Sequence, residues 1–100
     1  MTAQQINFVK NSLQAAVSAG ASFNMNPTVI LAQAAFESGW GMSKLATGSN
    51  NYFGLTAYGC SNQYWHGGKT TVNTGSYSLD FRRYDTRENS FLDFARLIRN

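Results

Sequence analysis

One hundred residues, 43% hydrophobic and 14% aromatic with only 13% charged, fit one folded domain and exclude a disordered or multidomain chain. The formal charge of +3 favours an anionic partner, but no basic run exceeds Arg82-Arg83, which excludes a nucleic-acid-binding arm. A single cysteine, Cys60, excludes an internal disulfide and a thiolate metal site, and no apolar run approaches the roughly 20 residues that span a bilayer.

Thr2 can cap a first helix, in which Ile6, Val9, Leu13, Ala16 and Val17 fall at helical spacing and Gly20 stands where the helix would stop. Asn26 followed by Pro27 is a strong start for a second helix: a capping side chain, then a proline in the first turn. That helix runs to about Glu37 or Ser38, where Gly39 and Gly41 end it, and Met42–Ala46 could form one further short turn. After Asn51 the pattern changes. The segments YFGLTAYG, NQYWHGGKTTV and SYSLDFRRYD are aromatic and β-branched, broken by Gly, Asn and Ser, and predict short antiparallel strands or a hairpin. Asp85 or Thr86 then caps a last helix, with Glu88 at capping-box spacing from Asp85 and an apolar stripe of Phe91, Phe94, Ala95 and Ile98. Helix, helix, small β region, helix predicts an α+β domain over 1–100. The last helical pattern reaches Arg99-Asn100 without a stop signal, so a further C-terminal helix is expected.

The stretch ILAQAAFESGWG, residues 30 to 41, carries the chemistry. Ile30, Ala34 and Glu37 lie along one stripe, so Glu37 is expected at the edge of the core beside Phe36 and Trp40. An acid in apolar surroundings resists ionisation, and a negative charge at a helix C-terminus is unfavourable. Both effects favour the protonated form that a general acid needs. The plainer reading is a Glu37 paired with Arg82, Arg83 or Lys44, or simply solvated. Gly39 and Gly41 allow a sharp turn, and Trp40 between them can offer a flat face to a sugar ring. Tyr52, Phe53, Tyr58, Tyr64 and Trp65 could rim the same groove, although core packing accounts for any one of them equally well.

The elements AQAAFESGWGMSKLA, NNYFGL, YWHGGKTT and FRRYDTRENSFLDFARLI resemble, in this order, the bacterial cell-wall glucosaminidases of glycoside hydrolase family 73. The resemblance covers about residues 28 to 98 and implies a lysozyme-like fold. A helical lobe would carry the acid and a β-hairpin lobe would close over a glycan groove. It also implies cleavage of the β-1,4 bond between N-acetylglucosamine and N-acetylmuramic acid in peptidoglycan. By the same resemblance Glu37 matches the catalytic acid, Tyr84 a tyrosine near it, and Trp40, Asn51 and Phe53 the floor and wall of the groove. Tyr52 and Trp65 join them as substrate-binding candidates.

Most glycosidases use two carboxyl groups, about 5–5.5 Å apart when retaining and about 6.5–9.5 Å apart when inverting. Many relatives place a second acid in the hairpin after the Thr-Thr pair. Here Thr70-Thr71-Val72-Asn73-Thr74-Gly75 has none, and Asp80 is the nearest hairpin acid. Asp80 positioning water, attack by the substrate's acetamido group, and a single-acid transglycosylase reaction all stay open. So does a module that binds glycan without cleaving it. Asp85 and Glu88 read as caps, and Asp93 as part of the polar side of the last helix. His66 has too few companions for a metal site, and Gly67-Gly68-Lys69-Thr70 lacks the spacing of a phosphate loop, so neither metal nor cofactor is expected. The start MTAQQINFVK is not a signal peptide. Action on the cell wall, in the periplasm or outside the cell, would then need a non-classical export route, a phage origin or a trimmed longer chain. An injected toxin would also imply a dedicated immunity protein that plugs the groove.

Overall fold

The computed structural model describes residues 1–99. Among these residues four helices and one hairpin follow in the order α1 (Ala3–Phe23), α2 (Pro27–Ser38), α3 (Lys44–Ser49), β1 (Lys69–Asn73), β2 (Ser78–Arg82) and α4 (Arg87–Arg99). The mixed α+β class is as the sequence implies. Among the described residues no helix is long and apolar enough to cross a membrane.

Each predicted helix start is built as its chemistry requires. Thr2 and Gln5 form a reciprocal capping box at α1, and Asn26 accepts from the Thr28 N–H ahead of Pro27 at α2. Ser43 caps α3. Thr86 rather than Asp85 caps α4, accepting from the Asn89 N–H at 3.1 Å, because Asp85 is engaged by His66 Nδ1 at 2.7 Å.

The predicted faces of two helices need correction. Gly20 does not end α1; the helix runs on to Phe23 and closes at Asn24 in the left-handed conformation. Gly20 is there for space, since a Cβ on it would stand 2.6 Å from the Met25 carbonyl oxygen. Ile6, Leu13 and Val17 lie on the exposed side, and α1 instead buries Phe8, Ser12, Ala15, Ala16, Ala19 and Gly20. The small side chains of that face let α1 pack against both α2 and α4. On α4, Phe91 and Ala95 are buried as expected, but Ile98 is exposed and Asp93 is fully buried.

The β region is smaller than its composition suggests. Among the described residues only Lys69–Asn73 and Ser78–Arg82 pair as strands, antiparallel, with Thr71 opposite Asp80, and an isolated bridge joins Thr56 to Phe81. The rest of the aromatic stretch is loop because side chains take the place of strand partners. Asn62 Oδ1, for example, accepts from the backbone N–H groups of Tyr64 and Trp65.

Two devices hold this small β lobe and the site it borders. The first is Asp93. Its Oδ2 accepts from Arg82 Nη1 at 2.6 Å and from the Tyr84 hydroxyl at 2.5 Å. Its Oδ1 accepts from Asn62 and from Arg96. Arg82 in turn donates to the carbonyls of Thr56 and Tyr58 and stacks over Trp65 at 4.2 Å. The second is the turn after α2. Gly39, Trp40 and Gly41 all have positive φ, at 57°, 57° and 78°. Trp40 in this region costs about 1–2 kcal/mol that a glycine would not. Ser38 holds the turn, donating to the Ala34 carbonyl at 2.6 Å and accepting from the Gly41 N–H at 2.8 Å.

The two glycines of this turn are expected to respond differently to alanine. A Cβ on Gly41 would stand 2.8 Å from the Phe8 ring, whereas one on Gly39 meets nothing within 4 Å. Gly41→Ala should cost about 2–3 kcal/mol from overpacking and backbone strain together, and Gly39→Ala about 1 kcal/mol from strain alone. Urea unfolding of both variants measures the difference.

Burial raises the Tyr84 hydroxyl above the ordinary tyrosine value of 10.0, and its bond to Asp93 adds to the shift. Burial also raises Tyr52, against a smaller lowering by Arg87. In the unfolded chain both ionise near 10.0, so above that pH the unfolded state binds fewer protons than the folded one. The contribution of these groups is therefore intact below pH 10 and stability falls as pH rises beyond it. Unfolding midpoints followed between about pH 8 and 11 should show this loss, and Tyr84→Phe should make it shallower.

Candidate functional site

Glu37 stands in the last turn of α2, two residues before the left-handed turn begins at Gly39. The stripe that leads to it is built as predicted, with Ile30 and Ala34 buried, but Ser38 rather than Glu37 continues it inward. The apolar enclosure expected around Glu37 is not formed. Glu37 is exposed, and its neighbour Phe36 is 82% exposed. Nor is it paired with Arg82, Arg83 or Lys44; its one side-chain hydrogen bond is with the Gln33 amide, which donates to Oε1 at 3.2 Å. The carboxylate therefore faces outward, with no cation bound to it among the described residues.

The loop after α3 brings a wall to this carboxylate. Asn51 is buried and uses its whole amide to shape it: Nδ2 donates to the carbonyls of Leu55 and Arg82, and Oδ1 accepts from the N–H groups of Phe53 and Leu55. Phe53 anchors the loop by stacking on Phe94, ring centroids 4.0 Å apart, and by an edge contact with Phe91. Gly54 then turns with φ 65°, and a Cβ on it would lie 4.0 Å from Glu37 Oε2. The Asn-x-Phe-Gly element thus works from inside: two side chains hold the loop and the glycine stands next to the acid.

The same segment leads to the second candidate. Ala57 donates its N–H to the Asp80 carbonyl at 2.9 Å, and a cleft of about 280 Å³ opens there, lined by Thr56, Ala57, Tyr58, Ser78, Leu79 and Asp80. The Asp80 carboxylate is exposed and accepts from the Thr71 hydroxyl at 2.7 Å. Gly54 and Ala57 are three residues apart, a reach of at most about 11 Å, so Glu37 and the backbone of Asp80 border one short segment of chain, while the Asp80 carboxylate itself turns to Thr71.

The other sequence candidates divide by burial. Trp40 is partly buried, packed edge-on against Phe8 with ring centroids 6.1 Å apart, and lines the surface beside α1. Tyr52, Phe53 and Trp65 do not rim a groove; they are core residues, and Trp65 is sealed between Arg82 and its own bond to the Gly68 carbonyl. Tyr84 is buried and turned to Asp93. Tyr58, which is exposed, does line the Asp80 cleft, whereas Tyr64 packs on Phe23. Among the described residues no three His, Cys, Asp or Glu side chains gather to hold a metal ion. Sequence reasoning missed Ser38, Gly54 and Asp93. Asp93 gave no signal in the spacing: two residues from both Phe91 and Ala95, it falls on the side of the helix opposite their stripe.

Comparison with known proteins bears on the family and the fold. Residues 13–100 match the family model of the glucosaminidases, described as mannosyl-glycoprotein endo-beta-N-acetylglucosaminidase. The peptidoglycan hydrolase FlgJ of Vibrio parahaemolyticus serotype O3:K6 is 30% identical over 103 residues, covering 92% of this chain and 32% of that protein. The solved catalytic domain of the autolysin Auto from Listeria monocytogenes superposes with a TM-score of 0.79 at 27% identity, over 100% of this chain and 59% of that one. The glycoside hydrolase domain of Salmonella typhimurium FlgJ gives 0.78 at 28% identity, over 94% of this chain and 60% of that one. The chain spans about a third of the curated FlgJ relative and about three-fifths of the two solved domains. With the family model matched over most of its length and the fold shared, the chain belongs to the glucosaminidase family, glycoside hydrolase family 73.

Proposed function

We propose that this chain hydrolyses peptidoglycan, cleaving the β-1,4 bond between N-acetylglucosamine and N-acetylmuramic acid with Glu37 as general acid. The observation that carries the reading is the setting of Glu37. It is an exposed carboxylate without a cationic partner among the described residues, at the end of a helix that buries one face, against the Gly54 loop. Glu37 stands at a helix C-terminus, where a negative charge is unfavourable for the helix, so its place beside Gly54 rather than its lack of a partner sets it apart from a simply solvated acid. A glycan strand laid over Gly54 would itself exclude water from the carboxyl group. Glu37 would then protonate the departing glycosidic oxygen as the sugar ring takes on oxocarbenium character.

Asp80 is the candidate for the opposite role. Its exposed carboxylate borders the cleft beside Thr56–Tyr58 and could activate water there, with the Thr71 hydroxyl holding it in place. The substrate's acetamido group is the alternative nucleophile. One observation favours a second reading, glycan binding without cleavage: the hairpin segment Thr70–Gly75 carries no acid.

Glu37→Gln keeps the shape and hydrogen bonding of an exposed residue, so the variant should fold normally. Its rate of peptidoglycan solubilisation should fall about 10²- to 10⁴-fold. Mass spectrometry of the wild-type digest should show new reducing N-acetylglucosamine ends. Anhydro-muramic ends would instead indicate a transglycosylase, reducing muramic ends a muramidase, and no new ends a binding module. Asp80→Asn tests the second acid. Water activation by Asp80 predicts a loss of about 10²-fold or more, and unchanged turnover would leave the acetamido route or a single-acid reaction.

A further inference from the structure

We propose that the cleft between α1, the Gly-Trp-Gly turn and the start of α4 binds the muramyl unit of the strand through a carboxylate and its neighbouring amides. The inference rests on the reading of the chain as a peptidoglycan hydrolase and gives that reading a second contact site. The cleft, about 210 Å³, is lined by Gln4, Asn7 and Asn11 of α1, by Trp40 and Met42, and by Arg87.

The chemistry of this lining is selective. Gln4, Asn7 and Asn11 follow one another at steps of three and four, so one face of α1 presents a row of uncharged amides. Their side chains form no hydrogen bond with another described residue, and each offers both donors and an acceptor. Arg87 is the only charged residue of the lining, and no acid shares the cleft. It spends one N–H on the Ser12 hydroxyl at 2.8 Å while its guanidinium lies over Tyr52 at 4.6 Å, so its plane is fixed and further donors remain. Arg87 is also the first residue of α4, where a positive charge opposes the helix dipole, so helix stability does not account for it. Trp40 makes no indole hydrogen bond to a described residue, unlike Trp65, whose indole is held by the Gly68 carbonyl.

A fixed guanidinium matches a carboxylate, the row of amides matches N-acetyl or peptide groups, and Trp40 with Met42 matches an apolar face. In peptidoglycan only the muramyl residue carries this set, as a carboxylate of its attached peptide or, on strands from which the peptide has been removed, as its lactyl carboxylate. A neutral N-acetylglucosamine would leave Arg87 without an anion. Trp40 belongs to the turn that leaves α2 after Ser38, three residues beyond Glu37, so the cleft adjoins the acid's end of that helix.

The test is a titration of ¹⁵N-labelled protein, whose two indole signals separate Trp40 from Trp65. N-acetylmuramic acid or muramyl dipeptide should move the Trp40 signal and leave Trp65 in place, and N-acetylglucosamine at equal concentration should not. A response to N-acetylmuramic acid assigns the lactyl carboxylate; a response to the dipeptide alone assigns the stem peptide. Arg87→Gln should weaken the response on the order of tenfold, as loss of one charge-assisted contact does. Asn11→Asp, on an exposed helix position that tolerates the change, should weaken it at least as much by repulsion. No movement of Trp40 up to the solubility limit, an equal response to N-acetylglucosamine, or unaltered titration of both variants would overturn the proposal. Solubilisation of peptidoglycan by the same preparation is scored separately. Lysis with an unmoved Trp40 overturns the cleft alone, and binding at Trp40 without lysis upholds the cleft and overturns the hydrolase reading.

Discussion

A buried carboxylate governs this domain. Asp93 is fully enclosed, and burying a charge is costly unless it is paired and hydrogen-bonded. Here Arg82, Tyr84, Asn62 and Arg96 all donate to it, so both oxygens are satisfied. Apolar contact alone would let the short hairpin slide over α4. A buried carboxylate with directional partners fixes one arrangement, because any shift strands the charge.

The arrangement is passed to the site through covalent and hydrogen-bonded neighbours. Arg82 is the last residue of β2, and its carbonyl accepts from Asn51, whose amide shapes the loop that ends at Gly54 beside Glu37. From Asp93 to Glu37 the chain of contacts is therefore short: guanidinium, carbonyl, amide, glycine. The two acids at its ends have opposite settings. Asp93 is buried with four partners and holds structure, whereas Glu37 is exposed and among the described residues is bonded by its side chain to the Gln33 amide alone.

The turn after α2 supplies the other fixed border. Three successive residues of positive φ reverse the chain within a few ångströms, and Ser38 ties both sides of the reversal. Glycine meets this requirement without strain at two positions, and Trp40 meets it at a cost that packing against Phe8 offsets. One indole thus stands between the acid's helix end and the polar cleft of α1.

The sequence by itself determined whatever depends on local chemistry. Thr2, Asn26 and Pro27 fixed helix starts, Gly39 and Gly41 fixed the end of α2, and the ordered motifs identified the family and singled out Glu37. Tertiary structure decided which faces are buried. Ile6, Leu13 and Val17 have helical spacing and the right polarity, yet α1 turns its small residues inward, because close helix approach rewards Ala and Gly over bulk. Asp93 looks like surface until Arg82, eleven residues earlier, is seen against it. The aromatics of the β region look like a binding rim, yet Tyr52, Phe53 and Trp65 are drawn into the core, since so small a domain has few other large side chains to fill it. Spacing along the chain records which groups share an element; which groups meet across elements is set only when the elements pack.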